Sequence, residues 1–309
     1  MSCCIPIRII NNKYKKLAKE LSDYPDSYVY QYEDREDFFI DVPCGVCINC
    51  IRSKATMWNT RLQNEWKYMS VSDRTNSYFI TLTISDDYID IPPSILVRRF
   101  LERIRRKYKR SVRHWFITEF GDTTKRLHLH GILFNPPFSR FELSKLWRYG
   151  YVSISPLTAR RITYCTNYLT KMLKLDSIED PRYHQQVFTS PGLGKKYCSD
   201  PGVISHCRVD GVPSPFGFNA SNKVVALPRY YRSKLFTEDE LEDLKIKYYA
   251  NLSDDVIPPP PYFIGKHRYD DYSLYLSVCQ QLREKKHKLY KSKKYEFRPS
   301  QPPIETIGY

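Results

Sequence analysis

The sequence lacks any long apolar run. No stretch approaches the ~20 consecutive apolar residues that a helix needs to cross a bilayer, and residues 1–10 are followed by lysines rather than by a secretory cleavage pattern. The sequence also has no internal repeat. It has no ATP-binding loop of the Gly-x-x-x-x-Gly-Lys-[Ser/Thr] type, since Gly192-Leu193-Gly194-Lys195-Lys196 has the wrong spacing. These absences argue against a membrane protein, a secreted protein and an ATPase motor.

Acidic residues are in short supply. The chain has 49 Lys and Arg against 34 Asp and Glu, a formal net charge of +15. Basic residues interleaved with aromatic ones suit a phosphate backbone with stacking bases, whereas a merely solvated helix face more often mixes its charges. A second basic run occupies residues 283–294. The predicted DNA-binding residues lie in the first cluster: Arg98, Arg99, Arg105, Arg106, Lys107, Lys109 and Arg110.

The nine cysteines are an odd number, which argues against a disulfide framework in a chain without a secretory signal. Three of them, Cys44, Cys47 and Cys50, form a Cys-x-x-Cys-x-x-Cys motif. This spacing favours a structural Zn²⁺, which requires four ligands, and Cys3 or Cys4 is the expected fourth. The alternative is that these cysteines are buried or redox-active.

Two histidines flank one leucine in a strand-like run, residues 126–134. Because residues two apart on a strand point to the same face, His128 and His130 are expected to project together. Paired imidazoles suit a divalent metal. The pair alone fits equally well with two ordinary histidines on the solvated face of a half-buried strand.

An acidic residue upstream extends this pattern. Residues 112–120 indicate another strand, and residues 121–124 have turn chemistry. In a hairpin centred on that turn, Glu119 would lie opposite or diagonal to His128, on the face that carries both histidines. Two imidazoles and one carboxylate form a facial ligand set for a catalytic Mg²⁺ or Mn²⁺. The alternative for Glu119 is a strand-end carboxylate in water.

A helix over residues 159–174 is predicted to carry paired tyrosines. Tyr164 and Tyr168 are four residues apart and therefore share one helix face, which Lys171 shares as well. Tyrosines at this spacing are usually core packing, but a lysine on the same stripe makes pure burial less natural. A phenol beside a metal and an ammonium can act as a nucleophile.

Hydrophobic periodicity predicts an α+β fold in the order β-α-β-β-α-β, followed by the tyrosine helix. This is the order of a ferredoxin-like antiparallel sheet, whose open face would present the histidines to DNA. Residues 181–222 are either a DNA-contacting loop or a variable connection. The predicted strands are 77–84, 112–120, 126–134 and 150–155, and the predicted helices between them begin at residues 92–94 and near residue 139.

The ordered set of an upstream acid, His128-Leu129-His130 and Tyr164-x-x-x-Tyr168-x-x-Lys171 resembles the motifs of HUH-type rolling-circle replication initiators. The closer resemblance is to the replication initiation proteins of small single-stranded DNA phages, microviruses of the gokushovirus type. It runs from about residue 1 to 236. Further matching segments are Phe79–Thr83, the cluster Val42–Cys50, Ser190–Gly194 and Leu227–Tyr231.

The resemblance implies an enzyme that nicks single-stranded or exposed origin DNA. Tyr168 or Tyr164 would attack a phosphate held near a metal, forming a 5′-phosphotyrosine, and the ends would later be rejoined. Family members often carry lysine three residues after each tyrosine. Here Lys171 follows Tyr168, but Asn167 follows Tyr164, so Tyr168 is the expected primary nucleophile.

The predicted organisation has three parts. Residues 1–72 carry the cysteine cluster and a helix, residues 73–236 form the HUH endonuclease core, and residues 237–309 form a basic helical extension with a proline-rich spacer and a disordered tail. The expected partners are origin DNA and, since the chain has no motor, a host helicase and polymerase. The expected location is the cytoplasm of a bacterial host. Alternative functions are another HUH nuclease, such as a relaxase or a transposase, or a non-catalytic zinc-containing nucleic-acid-binding protein.

Overall fold

The computed structural model describes residues 3, 7–11, 39–43, 45, 48–121, 126–171, 185–209 and 211–250. The chain divides into two compact units. The first comprises residues 1–53 and 248–297, and the second comprises residues 54–247 and 298–309. The boundaries predicted after residues 72 and 236 stay predictions. The proline-rich spacer, the second basic run and the tail lie outside the described residues.

The described part of the first unit contains one antiparallel strand pair. Strand β1 (Ile7–Ile10) pairs with β2 (Phe39–Val42), with Ile7 opposite Val42 and Ile10 opposite Phe39. Helix α1 (Ile48–Lys67) follows along the chain.

A five-stranded antiparallel sheet organises the second unit. Its order is β6-β3-β5-β4-β7. The α+β class and the antiparallel sheet are therefore confirmed, whereas the ferredoxin-like assignment stays a prediction. Strand β7 lies in the segment expected to be a loop, and it pairs with β4 at the edge of the sheet. The strands are β3 (Tyr78–Thr83), β4 (Arg113–Phe120), β5 (Leu127–Phe134), β6 (Val152–Pro156) and β7 (Val187–Thr189).

One face of this sheet packs against helix α3 (Pro93–Tyr108), after the short helix α2 (Val71–Thr75). Prolines at 92 and 93 suit the start of α3, because the first helical N–H groups have no partner within the helix. Lys109 takes the left-handed conformation, with φ of 54°, and ends the helix. The helix buries Leu96, Val97, Phe100 and Ile104 against Ile80, Leu82, Phe116, Leu129 and Leu133 of the sheet.

The other face of the sheet, which carries the histidines, is also covered. Helices α1 and α5 (Ala159–Lys171) bury Leu62, Ile162 and Leu169 there, against Trp115, Ile117 and Ile132 of the strands. The expectation of an open face was therefore wrong. Its cause lies in the strands themselves, because their alternate positions on this face are as apolar as those on the other.

The remaining elements form a smaller core after β7. This core contains Tyr197, Cys207, Leu227 and Tyr231. Helix α4 (Leu143–Trp147) comes earlier, between β5 and β6. The elements after β7 are α6 (Pro201–His206), β8 (Arg208–Val209), β9 (Val212–Pro213), β10 (Phe216–Phe218), β11 (Val224–Ala226), α7 (Arg229–Leu235) and α8 (Glu238–Ala250). In the described part of the chain, no helix combines the length and apolar character needed to cross a bilayer.

Candidate active site

The hairpin of β4 and β5 brings the predicted acid and histidines together. Glu119 lies directly opposite His128, and Ile117 lies opposite His130. The predicted hairpin register is thus confirmed. Because partners in register and residues two apart share a face, Glu119, His128 and His130 all project from the face that α1 and α5 cover.

His130 makes side-chain contacts through both ring nitrogens. Its Nε2 lies 3.2 Å from Oε2 of Glu119, and its Nδ1 lies 3.0 Å from the Thr81 hydroxyl. Thr81 stands directly opposite His130 on the neighbouring strand β3. The imidazole is only 7% exposed, so these two partners set the orientation of the ring.

The prediction from sequence did not include Thr81 among the site residues. It lies in the segment Phe79–Thr83, which was assigned only as a strand. The available signal was its position, since a hydroxyl residue alternates there with apolar neighbours that face the other side of the sheet.

Helix α5 brings both tyrosines to His130. The ring of Tyr168 is parallel to the imidazole, with 4.0 Å between centroids and 8° between planes. The hydroxyls of Tyr164 and Tyr168 are hydrogen-bonded at 2.5 Å, and the Tyr164 ring is 6.5 Å from His130. Phe79 supports the group from β3, with its ring centroid 5.8 Å from that of Tyr164.

Helix α1 holds α5 in place. The Asn59 amide donates to the hydroxyls of Thr163, at 2.9 Å, and Thr166, at 3.1 Å. The Gln63 amide donates to the carbonyl of Ala159, at 2.7 Å. Polar side chains therefore fix the position of one helix along the other, and with it the height of the tyrosines above the sheet.

Burial dominates the electrostatics of Tyr168. Desolvation raises the pKa of its phenol far above the ordinary value of 10, and the adjacent Tyr164 and Glu119 add to this shift. The phenol of Tyr168 is therefore protonated at neutral pH in this state. To act as a nucleophile, it must pass its proton to an acceptor as it attacks.

The donor set fits a divalent cation in kind. Glu119 and His130 are in contact, and the rings of His128 and His130 are 6.5 Å apart and tilted by 22°. Nδ1 of His128 is buried without a hydrogen-bond partner in the described part of the chain. Such an orphaned nitrogen beside a carboxylate and a second imidazole is typical of a ligand side chain. No group of three or more His, Cys, Asp or Glu side chains among the described residues is already arranged around a metal position.

Two other predicted groups are described only in part. Lys171 is the last residue of α5, and its side chain lies outside the described structure. In the cysteine cluster, Cys4, Cys44 and Cys47 lie outside the described residues, while Cys3 and Cys50 are described. The lysine's role and the zinc site stay predictions.

The predicted DNA-binding residues do not meet the histidines. Arg98, Arg99, Arg105, Arg106 and Lys107 lie on α3, and Lys109 and Arg110 follow it, all of them exposed. Helix α3 covers the sheet face opposite to the one that carries His130. These cations therefore belong to another surface of the molecule.

Comparison with known proteins identifies relatives among phage proteins. Residues 77–173, from just before β3 to just beyond α5, match the family model of the replication-associated protein ORF2. No solved structure matches the chain.

Three curated relatives are replication-associated proteins. The ORF2 protein of Spiroplasma virus 4 is 24% identical over 229 residues, which cover 64% of this chain and 69% of the relative. The ORF4 protein of Chlamydia phage 1 is 24% identical over 72% of this chain and 60% of the relative. The VP4 protein of Bdellovibrio phage phiMH2K is 23% identical over 59% of this chain and 60% of the relative. These matches confirm the resemblance that the motifs predict: the chain is similar to the replication initiation proteins of small single-stranded DNA phages.

Proposed function

We propose that this protein initiates rolling-circle replication by nicking single-stranded or exposed origin DNA, and that it later rejoins the ends. One observation carries the proposal: the Tyr168 ring stacks on His130, which is hydrogen-bonded to Glu119. A nucleophile, a pair of imidazoles and a carboxylate thus meet in one buried cluster. The names of the relatives, replication-associated proteins of phages, agree with this role.

The topology supports the same assignment. If β3, β4, β5 and β6 are numbered 1 to 4 along the chain, their order across the sheet is 4-1-3-2, with every neighbouring pair antiparallel. A β-α-β-β-α-β chain in that order is the ferredoxin-like arrangement proposed from the sequence.

In the nicking step, the oxygen of Tyr168 attacks the scissile phosphorus. A bond from the tyrosine oxygen to phosphorus forms, the bond from phosphorus to the 3′ oxygen breaks, and a 5′-phosphotyrosine and a free 3′-hydroxyl result. The phenol proton leaves along the hydrogen bond to Tyr164, and the departing 3′ oxygen takes up a proton. A Mg²⁺ or Mn²⁺ held by His128, His130 and Glu119 would, when bound, polarise the phosphate as a Lewis acid.

Joining is the reverse of this reaction. The phosphotyrosine retains the energy of the phosphodiester, so a 3′-hydroxyl can attack it without a further cofactor. Tyr164, one helical turn from Tyr168, can attack the regenerated origin after one round of synthesis. The predicted role of Lys171 is to stabilise the charge that develops on the phosphate.

The wider assignments belong to the same proposal. The substrate is single-stranded DNA, and a host helicase and polymerase in the cytoplasm of a bacterial host provide unwinding and synthesis. A structural Zn²⁺ on Cys44, Cys47, Cys50 and either Cys3 or Cys4 would fold the N-terminal segment.

A covalent-adduct assay tests the proposal. The protein is incubated with Mn²⁺ and single-stranded phage-type origin DNA, and denaturing electrophoresis then detects protein–DNA adducts. We expect an adduct that Tyr168→Phe reduces strongly and that Tyr168→Phe combined with Tyr164→Phe abolishes. Tyr151→Phe, at an exposed tyrosine outside the site, is the matched control and retains the adduct.

Two results would contradict the proposal. An adduct that survives in the double variant removes the tyrosines from the chemistry. Binding without cleavage of either origin or random oligonucleotides would favour a non-catalytic nucleic-acid-binding protein.

A further inference from the structure

Two clefts adjoin at one edge of the sheet. The larger, about 710 Å³, lies between α3 and the edge strand β7, and the smaller, about 400 Å³, lies beside the turn that follows β7. Ser111 and Pro191 line both clefts. Because the clefts share these walls, they form one extended depression, which we name the edge groove.

Cations outnumber acids along the edge groove. Six basic side chains line it against three acidic ones, and of the acids Glu65 is neutralised by an ion pair with Arg113. The basic residues are Arg98, Arg105, Arg110, Arg113, Lys195 and Lys196, and the acidic residues are Glu65, Asp73 and Glu102.

Four of these cationic side chains have no partner within the described structure. The side chains of Arg98, Arg105, Arg110 and Lys195 are exposed, and they make no hydrogen bond or ion pair there. Arg98 and Arg105 are seven residues apart on α3, two helical turns, so they lie on one face about 10 Å apart. The unpaired charges are therefore spread along the groove, which suits an extended polyanion better than a small anion.

The floor of the larger cleft is apolar. Val97, Leu101 and Val112 line it, together with the half-buried ring of Phe188 from β7. An apolar floor with an aromatic ring, bordered by a row of cations, combines the two features that bind single-stranded nucleic acid: a surface for bases and charges for the backbone. A folded duplex has no exposed base faces to use such a floor.

The edge groove is separate from the candidate active site. Strand β4 runs from Arg113, at the groove, to Glu119, six residues away, which corresponds to about 20 Å of extended chain. DNA in the groove is thus not at the phosphate that Tyr168 would attack.

We propose that the edge groove binds a second stretch of the single-stranded DNA substrate, several nucleotides from the cut phosphate. The inference rests on the proposed function for the identity of the DNA, but its site and residues are distinct. By holding flanking DNA, the groove keeps the strand on the protein while the cut end is free of base pairing.

The salt dependence of binding tests the groove. The probe is a fluorescent oligo(dT) of about 30 nucleotides, long enough to span several binding-site lengths of ~4–16 nucleotides. The groove variant combines Arg98→Gln, Arg105→Gln, Arg110→Gln and Lys195→Gln. A matched control combines Arg99→Gln, Arg106→Gln, Arg148→Gln and Lys223→Gln, four exposed cations that line neither cleft.

Each phosphate contact contributes ~0.7 to the slope of log K against log[salt] for single strands. We expect the groove variant to flatten that slope by about 3 and the control by less than about 1. Equal flattening in both variants would overturn the groove, since it would mean a diffuse positive surface. An unchanged slope in the groove variant would overturn it as well. Circular dichroism confirms that both variants are folded.

Cleavage of two substrates separates this inference from the nuclease proposal. Oligonucleotides of about 8 and about 30 nucleotides, both containing the origin, are compared in the adduct assay, the shorter being within one binding-site length. The groove variant should lose more apparent affinity for the longer substrate than for the shorter one, and an equal loss contradicts the groove. If neither DNA is cut while the oligo(dT) slope still falls, the nuclease proposal fails and the groove stands.

Discussion

Tyr168 and His130 lie face to face, with their ring centroids 4.0 Å apart, in the core between the sheet and α5. The same stacking that positions the phenol also buries it, which raises its pKa. A side chain held in this way has a fixed position but a strongly disfavoured anion. Catalysis at this site therefore depends on the neighbours that receive the proton and stabilise the phosphate, and less on a pre-formed phenolate.

Thr81 is the first residue whose role can be measured. Its hydroxyl meets Nδ1 of His130, and a partner of this kind fixes the ring orientation of a metal-binding histidine. We predict that Thr81→Val raises the Mn²⁺ concentration needed for half-maximal adduct formation by ~10–100-fold. Thr81→Ser, which keeps the hydroxyl, should restore the wild-type requirement.

The control for this prediction is Thr75→Val, at an exposed threonine in α2. A purely structural role for Thr81 would lower the denaturation midpoint but leave the Mn²⁺ requirement of the folded fraction unchanged, and that result would contradict the prediction.

Gly131 tests how tightly the histidine strand is packed. A Cβ at this position would overlap the Phe116 ring and come within 3.0 Å of the Trp115 carbonyl oxygen. We predict that Gly131→Ala lowers the free energy of unfolding by about 1–3 kcal/mol, the usual cost of overpacking a core. Denaturant titration measures this change.

A double variant identifies the cause. Phe116→Leu removes the ring that the new methyl group would meet, so Gly131→Ala should cost less in the Phe116→Leu background than in the wild type. If the two costs are additive, the ring is not what requires glycine.

The sequence was sufficient to predict the hairpin part of the site. A turn between two strands fixes which positions face each other, so Glu119 and His128 could be paired by counting from residues 121–124. The shared face of Tyr164 and Tyr168 likewise follows from helical geometry. These relationships are local, and local rules determine them.

The parts that were missed depend on contacts between distant segments. The cover over the histidine face comes from α1, more than 60 residues before His128, through bonds such as the one from Asn59 to Thr163. Strand β7 has only three residues and is stabilised by pairing with β4, so its own sequence carries little strand signal. Neither feature has a periodicity that could be recognised in isolation.

Glu142 gives a pH-dependent prediction away from the site. Its carboxylate accepts hydrogen bonds from the Tyr108 hydroxyl, from the Lys107 ammonium and from the Ser139 backbone N–H. These donors, the Tyr108 hydroxyl foremost, lower the pKa of Glu142 from 4.5 to about 2. Since the folded-state pKa is the lower one, the ionised group stabilises the fold above pH 4.5, and this contribution is lost as the pH falls toward 2.

The thermal midpoint of Glu142→Gln should therefore be below that of the wild type at neutral pH, and the two should converge as the solution is acidified. Glu102→Gln, at a carboxylate on the same helix as Lys107, is the control and should show no such convergence. A difference that is constant with pH would indicate packing or helix capping by either side chain, without a contribution from charge.

Asn167 provides a test of what makes a tyrosine of this helix reactive. It lies three residues after Tyr164, where Lys171 stands relative to Tyr168, so the two tyrosines differ in the side chain one turn ahead. If that ammonium stabilises the phosphate, a lysine at 167 should activate Tyr164. In the Tyr168→Phe background we predict that Asn167→Lys raises adduct formation by about 10-fold, a fraction of the ~10²–10³ that one well-placed stabilising group contributes. Asn167→Met, which has a similar length but no charge, should leave it unchanged. Equal effects of the lysine and methionine variants would show that the length of the side chain matters and not its charge. The difference between the two tyrosines would then have to arise from their burial, because Tyr168 lies against His130 and Tyr164 is the more exposed of the pair.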